Sequence, residues 1–340
     1  MHTSVFALGL TALLQGAAHA QYTLSTTYDA SNFFTAFDFF NEPDPTNGFV
    51  EYVDANTANS EGLAGFVDGA IYMGVDYQTK NPQNGRKSVR VTSQQSFTHG
   101  LFISDIAHMP GSIPGVWPAF WMFGPNWPTS GEIDILEGVN TQTKNSITLH
   151  TGPGCSITND GTAEGTTLNN PDCNASEGHE GCGQATSDNR NYGDGFNDIG
   201  GGVYATEWTS DYIAVWFFHR DRIPQDITSD NPNPSSWGNP LAKFNSGSGC
   251  NFDDHFKQHN LIFDTTFCGD WAGDDEVWNS NPETAALGSC EDYVASNPEA
   301  FQEAYWLVNS IKVFGQYGNG SGDGYGNSTK RAVVAKPFLA

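Results

Sequence analysis

The chain has 340 residues, with 39 acidic against 14 basic side chains and a formal net charge of −25. That balance repels nucleic acid and anionic membrane surfaces, and leaves neutral polymers open as partners. The 38 glycines and 13% aromatic residues suit an all-β protein rich in turns, and the length allows one large domain or two ordinary ones.

The first 20 residues, MHTSVFALGLTALLQGAAHA, contain an apolar run from Val5 to Leu14 and end on Ala18-His19-Ala20. This is the A-x-A form of a signal-peptidase site, although the segment lacks Lys and Arg. The run is too short to cross a bilayer. The expectation is a signal peptide over 1–20, a mature chain from Gln21, and secretion to the extracellular medium. Farther along, Ser88–Thr92 alternates polar residues with valine, as a half-buried strand does. GVWPAFWMFGPNWP carries Trp117, Trp121 and Trp127, and GEIDILEG follows at 131–138. Ser146–His150 alternates again. Residues 152–204 read as loop, a length that implies disulfide ties or function. Tyr212–Phe218 is apolar on both faces and reads as a strand between two layers. Residues 292–304 suit one short helix, and Tyr305–Phe314 a long final strand. Past Tyr317 the run GNGSGDGYGNS predicts a flexible tail over 318–340. No internal repeat or linker interrupts residues 25–316. The pattern predicts one all-β sandwich over 21–317.

The six cysteines, Cys155, Cys173, Cys182, Cys250, Cys268 and Cys290, imply three disulfides in a secreted chain, with connectivity open. No CxxC spacing suggests zinc. Sequons stand at Asn174, Asn319 and Asn327. His219-Arg220-Asp221 mimics a kinase catalytic loop, but it directly follows a buried strand in an exported chain and lacks the later Asn.

GEIDILEG poses the central problem. Three acids, Glu132, Asp134 and Glu137, alternate with Ile133, Ile135 and Leu136. On a helix, Glu132 and Glu137 would lie about 140° apart. On a regular strand, Glu137 would point into the core beside the isoleucines, at a cost of several kcal/mol. One extra residue near Ile135-Leu136, a β-bulge, shifts the phase and puts all three acids on one face. Three adjacent carboxyls cannot all ionise freely, so at least one pKa should rise. An ionised and a protonated carboxyl flanking a bond is the requirement of glycoside hydrolysis, with a separation of about 5–5.5 Å in the retaining case. A solvated acidic face or oxygen ligands for Ca²⁺ are the other readings of this segment. Trp121, Trp127 and Trp271 offer flat faces for sugar rings. His150 on its strand's polar face, and Arg90 between Val89 and Val91, are candidates for the same cleft.

Together these residues resemble glycoside hydrolase family 16, in particular the fungal laminarinase-type endo-1,3(4)-β-glucanases. The resemblance centres on GVWPAFWMFGPNWPTSGEIDILEGVN and extends more weakly over about 25–316. It implies a β-jelly-roll sandwich of two antiparallel sheets with a concave substrate cleft. It implies Glu132 as nucleophile, Glu137 as general acid/base and Asp134 as their assistant. Trp121, Trp127, His150, Trp271 and, less closely, Arg90 match substrate-binding positions. It further implies a monomer that takes β-glucan polysaccharide or oligosaccharide, needs no cofactor, and binds neither nucleic acid nor membrane. Family members often hold a structural Ca²⁺ on the convex side, but its ligands are not identifiable from this sequence. A transglycosylase, a non-catalytic glucan-binding protein and a hydrolase of another β-glycan remain open.

Overall fold

The computed structural model describes residues 21–176, 180–247 and 249–317. The expected signal peptide, the tail, Asn319 and Asn327 lie outside them. Within them, two antiparallel sheets of eight strands each face one another. The first runs, edge to edge, through Thr167–Leu168, Cys182–Ala185, Ser146–His150, Glu132–Glu137, Val116–Phe123, His259–Phe267, Arg90–Phe97 and Phe37–Phe39. We call it the acid sheet. The second, the back sheet, runs through Ala242–Asn245, Tyr212–His219, Gly202–Trp208, Gly100–His108, Trp306–Tyr317, Ala70–Met73 and Ala64–Val67. Gln21–Tyr28 also pairs with Trp306–Tyr317.

The period-two pattern builds the core. Phe120, Met122, Ile133, Ile147, Leu149, Leu261 and Phe263 of the acid sheet meet Phe102, Ile106, Trp208, Ile213 and Val215 of the back sheet. Tyr212–His219 is buried on both faces, as expected. Ile213 and Val215 enter this core, while Ala214 and Trp216 join an outer cluster with Ile227, backed by Trp237.

Three local expectations need correction. Ser88–Thr92 is not one strand, because Arg86–Ser88 pairs in parallel with Val50–Tyr52 before Arg90–Phe97 enters the acid sheet. Arg86 is fully buried and donates to the carbonyls of Val294, Asp76 and Thr79, which pins this crossing in place. Residues 292–304 form two pieces, Cys290–Ser296 and the 3₁₀ turn Pro298–Phe301. Pro298 cannot donate the N–H that would continue the first helix. The 152–204 region is not all loop either. It supplies Thr167–Leu168 and Cys182–Ala185 to the edge of the acid sheet, and a helix over Gly193–Asp198.

All six cysteines pair, as Cys155–Cys250, Cys173–Cys182 and Cys268–Cys290. The first ties the 152–204 region to the segment at Cys250, and the second ties the loop at Cys173 to the edge strand Cys182–Ala185 within that region. Among the described residues, no helix is long and apolar enough to cross a membrane.

Leu136 is completely buried beside the bulge of the acid strand. Leu136→Ala should therefore cost about 2–5 kcal/mol. Urea denaturation checks this, and a midpoint equal to wild type would contradict the packing described.

Candidate active site

The acid strand carries the expected bulge. On one side Glu132 pairs with His150, Asp134 with Thr148 and Glu137 with Ser146, so Ile135 and Leu136 together oppose Ile147 alone. On the other side Asp134 pairs with Trp121, Leu136 with Phe120 and Glu137 with Ala119. Ile135 is the extra residue. Both it and Leu136 are fully buried in the core, and the three acids share the outer face. A bulge leaves backbone groups outside the ladder. Asn145 satisfies them: its Nδ2 donates to the Ile135 carbonyl at 2.8 Å, and its Oδ1 accepts from the Glu137 N–H at 2.9 Å.

Alternation along Val116–Phe123 puts Trp117, Ala119, Trp121 and Phe123 on this same face. Trp117 Nε1 donates to Glu137 Oε1 at 2.8 Å. Trp121 stacks on Phe123 with ring centroids 5.0 Å apart. Trp271, from the short helix Gly269–Ala272, meets Trp117 edge-on at 5.5 Å. His150 Nε2 lies 3.1 Å from Asp134 Oδ2 and 3.8 Å from Glu132 Oε1. Trp127 is 52% exposed in the turn before the acid strand. Arg90 is only 7% exposed. Its guanidinium lies 4.8 Å from the Phe40 ring and 5.0 Å from the Trp121 ring, so it underpins the aromatic row instead of reaching outward.

Two residues here escaped the sequence reading. Asn145 is the clamp of the bulge. Asp264, on His259–Phe267, accepts from Trp121 Nε1 at 3.0 Å and from the Tyr52 hydroxyl at 3.0 Å. Trp117, one of the aromatics of GVWPAFWMFGPNWP, is the partner of Glu137.

The description "XgeA-like, catalytic GH16 domain" matches residues 37–314. This chain belongs to glycoside hydrolase family 16. A protein of Aspergillus fumigatus named "Probable endo-1,3(4)-beta-glucanase" is 47% identical over 311 residues, which cover 90% of this chain and 47% of the relative. An "Endo-1,3(4)-beta-glucanase" of Emericella nidulans is 44% identical over 311 residues, covering 89% and 49%. The chain thus spans about half the length of these curated relatives. Among solved structures, an elongating family 16 β-1,3-glucosyltransferase is 44% identical with a TM-score of 0.80, over 86% of this chain and all of the other. Laminarinase 16A from Phanerochaete chrysosporium, solved with β-glucans in its donor and acceptor sites, is 38% identical with a TM-score of 0.81, over 87% of this chain and all of the other. The two-sheet sandwich is the jelly roll of these family 16 proteins.

Burial governs the electrostatics of this family 16 site. Desolvation raises the pKa of Glu132, Asp134 and Glu137, each to about 8. The Asp134 charge adds to the rise at both glutamates, while His150 opposes it. The Trp117 indole N–H bond favours the ionised form of Glu137. Burial therefore favours protonated carboxyls in this cluster at neutral pH. Ligand atoms of Glu132, Asp134 and His150 lie within 4.8 Å of one another, a spacing that also admits a small cation. It is the sole such side-chain group among the described residues.

These shifts link to stability. Each carboxyl binds its proton more tightly in the folded state, so the stabilisation is complete below the ordinary values of 3.8 and 4.5 and is lost as pH rises toward about 8. The triple variant Glu132→Gln/Asp134→Asn/Glu137→Gln should lose Tm less steeply than wild type between those limits. Parallel Tm curves from a thermal scan across pH would rule out proton storage in the cluster.

Proposed function

We propose that the chain is a secreted, endo-acting β-glucanase that cleaves internal 1,3- and mixed 1,3/1,4-β-glucosidic bonds with retention. The observation that carries this reading is the bulge. It gathers Glu132, Asp134 and Glu137 on one face, between an indole row and His150. The named fungal relatives and the β-glucans bound by laminarinase 16A support the substrate class. Three disulfides and the signal-like N-terminal segment support export.

Chemistry assigns the roles. Glu132 Oε attacks the anomeric carbon as the glycosidic C–O bond breaks, and the Glu137 proton passes to the leaving oxygen. In the second step Glu137 takes a proton from water, the water oxygen bonds to the anomeric carbon, and Glu132 leaves as carboxylate. Asp134 stands beside Glu132 and, with His150, controls where the proton resides. Trp121, Trp127 and Trp271 supply faces for sugar rings. Arg90 acts through Trp121, beneath the row.

A second reading has its own support. The glucosyltransferase neighbour, at 44% identity, suggests that a sugar hydroxyl could replace water in the second step. The same acids would serve, and products longer than the starting oligosaccharide would reveal it.

Mature protein on laminarin, barley mixed-linkage glucan and cellulose should release short oligosaccharides from the first two, with the β-anomer appearing first by NMR. Glu132→Gln should keep its fold and lose hydrolysis. Residual activity of about a tenth would be too much for a missing nucleophile. Asp134→Asn should be slower with a displaced pH profile, and an unmoved profile would remove it from proton control.

A further inference from the structure

Asp264 is an acidic residue on the acid face that the double-displacement scheme does not use. Across neighbouring strands Arg90 pairs with Asp264, Asp264 with Ala119, and Ala119 with Glu137. With strands about 4.8 Å apart, Asp264 and Glu137 stand two strand spacings, roughly 10 Å, from each other. Only the methyl of Ala119 occupies the row between them. Both Asp264 oxygens are committed, Oδ1 to Trp121 and Oδ2 to Tyr52, so the carboxylate is held still. A buried carboxylate is costly, and its retention here needs a reason.

We propose that Asp264 is a positioning residue of this site: it anchors the Trp121 indole and places a fixed negative charge two strands away from Glu137. The proposal rests on Glu137 being the acid. The groups facing Asp264 are Arg90 from the adjoining strand, Tyr52 and Asp44 from the segments packed over it, and Asp134 and Glu137 across Val116–Phe123. Arg90 is the one cation among them, and the Phe40 and Trp121 rings take up its guanidinium. Burial brings the Asp264 pKa up to about 6. Above that pH its charge raises the pKa of both Asp134 and Glu137. Asp264 thus extends to higher pH the range in which Glu137 keeps its proton.

The Trp117 indole N–H is bonded to Glu137, so its ¹⁵N resonance reports that titration without any need for catalysis. Trp117→Phe assigns the peak. In Asp264→Asn, which preserves an acceptor for Trp121, the Trp117 midpoint should fall by about half a pH unit or more. The alkaline limb of kcat/KM should move down with it. Asp264→Leu, which removes the acceptor as well, should also raise KM severalfold. If Asp264→Asn does not fold, Asp264→Ser, which likewise removes the charge, asks the same question, and the Trp117 midpoint should again drop. An unmoved Trp117 midpoint in the folded variants overturns the proposal. A midpoint that responds in a protein that hydrolyses no glucan would keep the charge coupling and reject the glucanase reading.

Discussion

One extra residue, Ile135, sets the phase on which this site depends. A strand alternates its faces strictly, and Glu132 and Glu137 are separated by an odd number of steps. Without the bulge, one of them would be driven into the core. With it, Ile135 and Leu136 both turn inward and three acids turn outward. The bulge is sustainable because a single carboxamide meets its two stranded backbone groups. Asn145 both donates to Ile135 and accepts from Glu137. It is itself embedded in a buried polar network: Asn191 Oδ1 accepts from the Asn145 N–H, and the Thr186 hydroxyl donates to the Asn145 carbonyl. The placement of Glu137 is therefore tied to residues in the 152–204 region.

Once the acids share a face, the aromatic row decides their charge. Indoles exclude water, which disfavours carboxylate ions, yet the Trp117 N–H stabilises one of them. Trp117 serves Glu137, while Asp134 sits deepest, beside His150. The same flat surfaces suit the apolar faces of sugars, so one set of side chains serves both recognition and proton retention.

The surrounding segments hold these groups in register. Cys268–Cys290 closes the segment that carries Trp271 against Trp117. Cys173–Cys182 ties a loop to the strand that pairs with Ser146–His150, and Cys155–Cys250 joins two loops. Arg86, caged by backbone carbonyls, joins the Cys290–Ser296 helix to the strand that leads to Arg90.

The local pattern of residues was enough to determine the all-β class, the two-layer burial of Tyr212–His219, the bulge and the common face of the acids. Each follows from alternation and the cost of burying charge, which act over a few consecutive residues. The short strands at 167–168 and 182–185 were not legible, because two to four residues hold too little alternation to register. Tertiary structure alone decided which cysteines pair, that Arg90 lies beneath the row, and that Asp264 belongs to the site. Asp264 meets Trp121 from 143 residues away and Tyr52 from 212. Such partners are chosen by the order in which strands assemble across a sheet, and no local periodicity records that order.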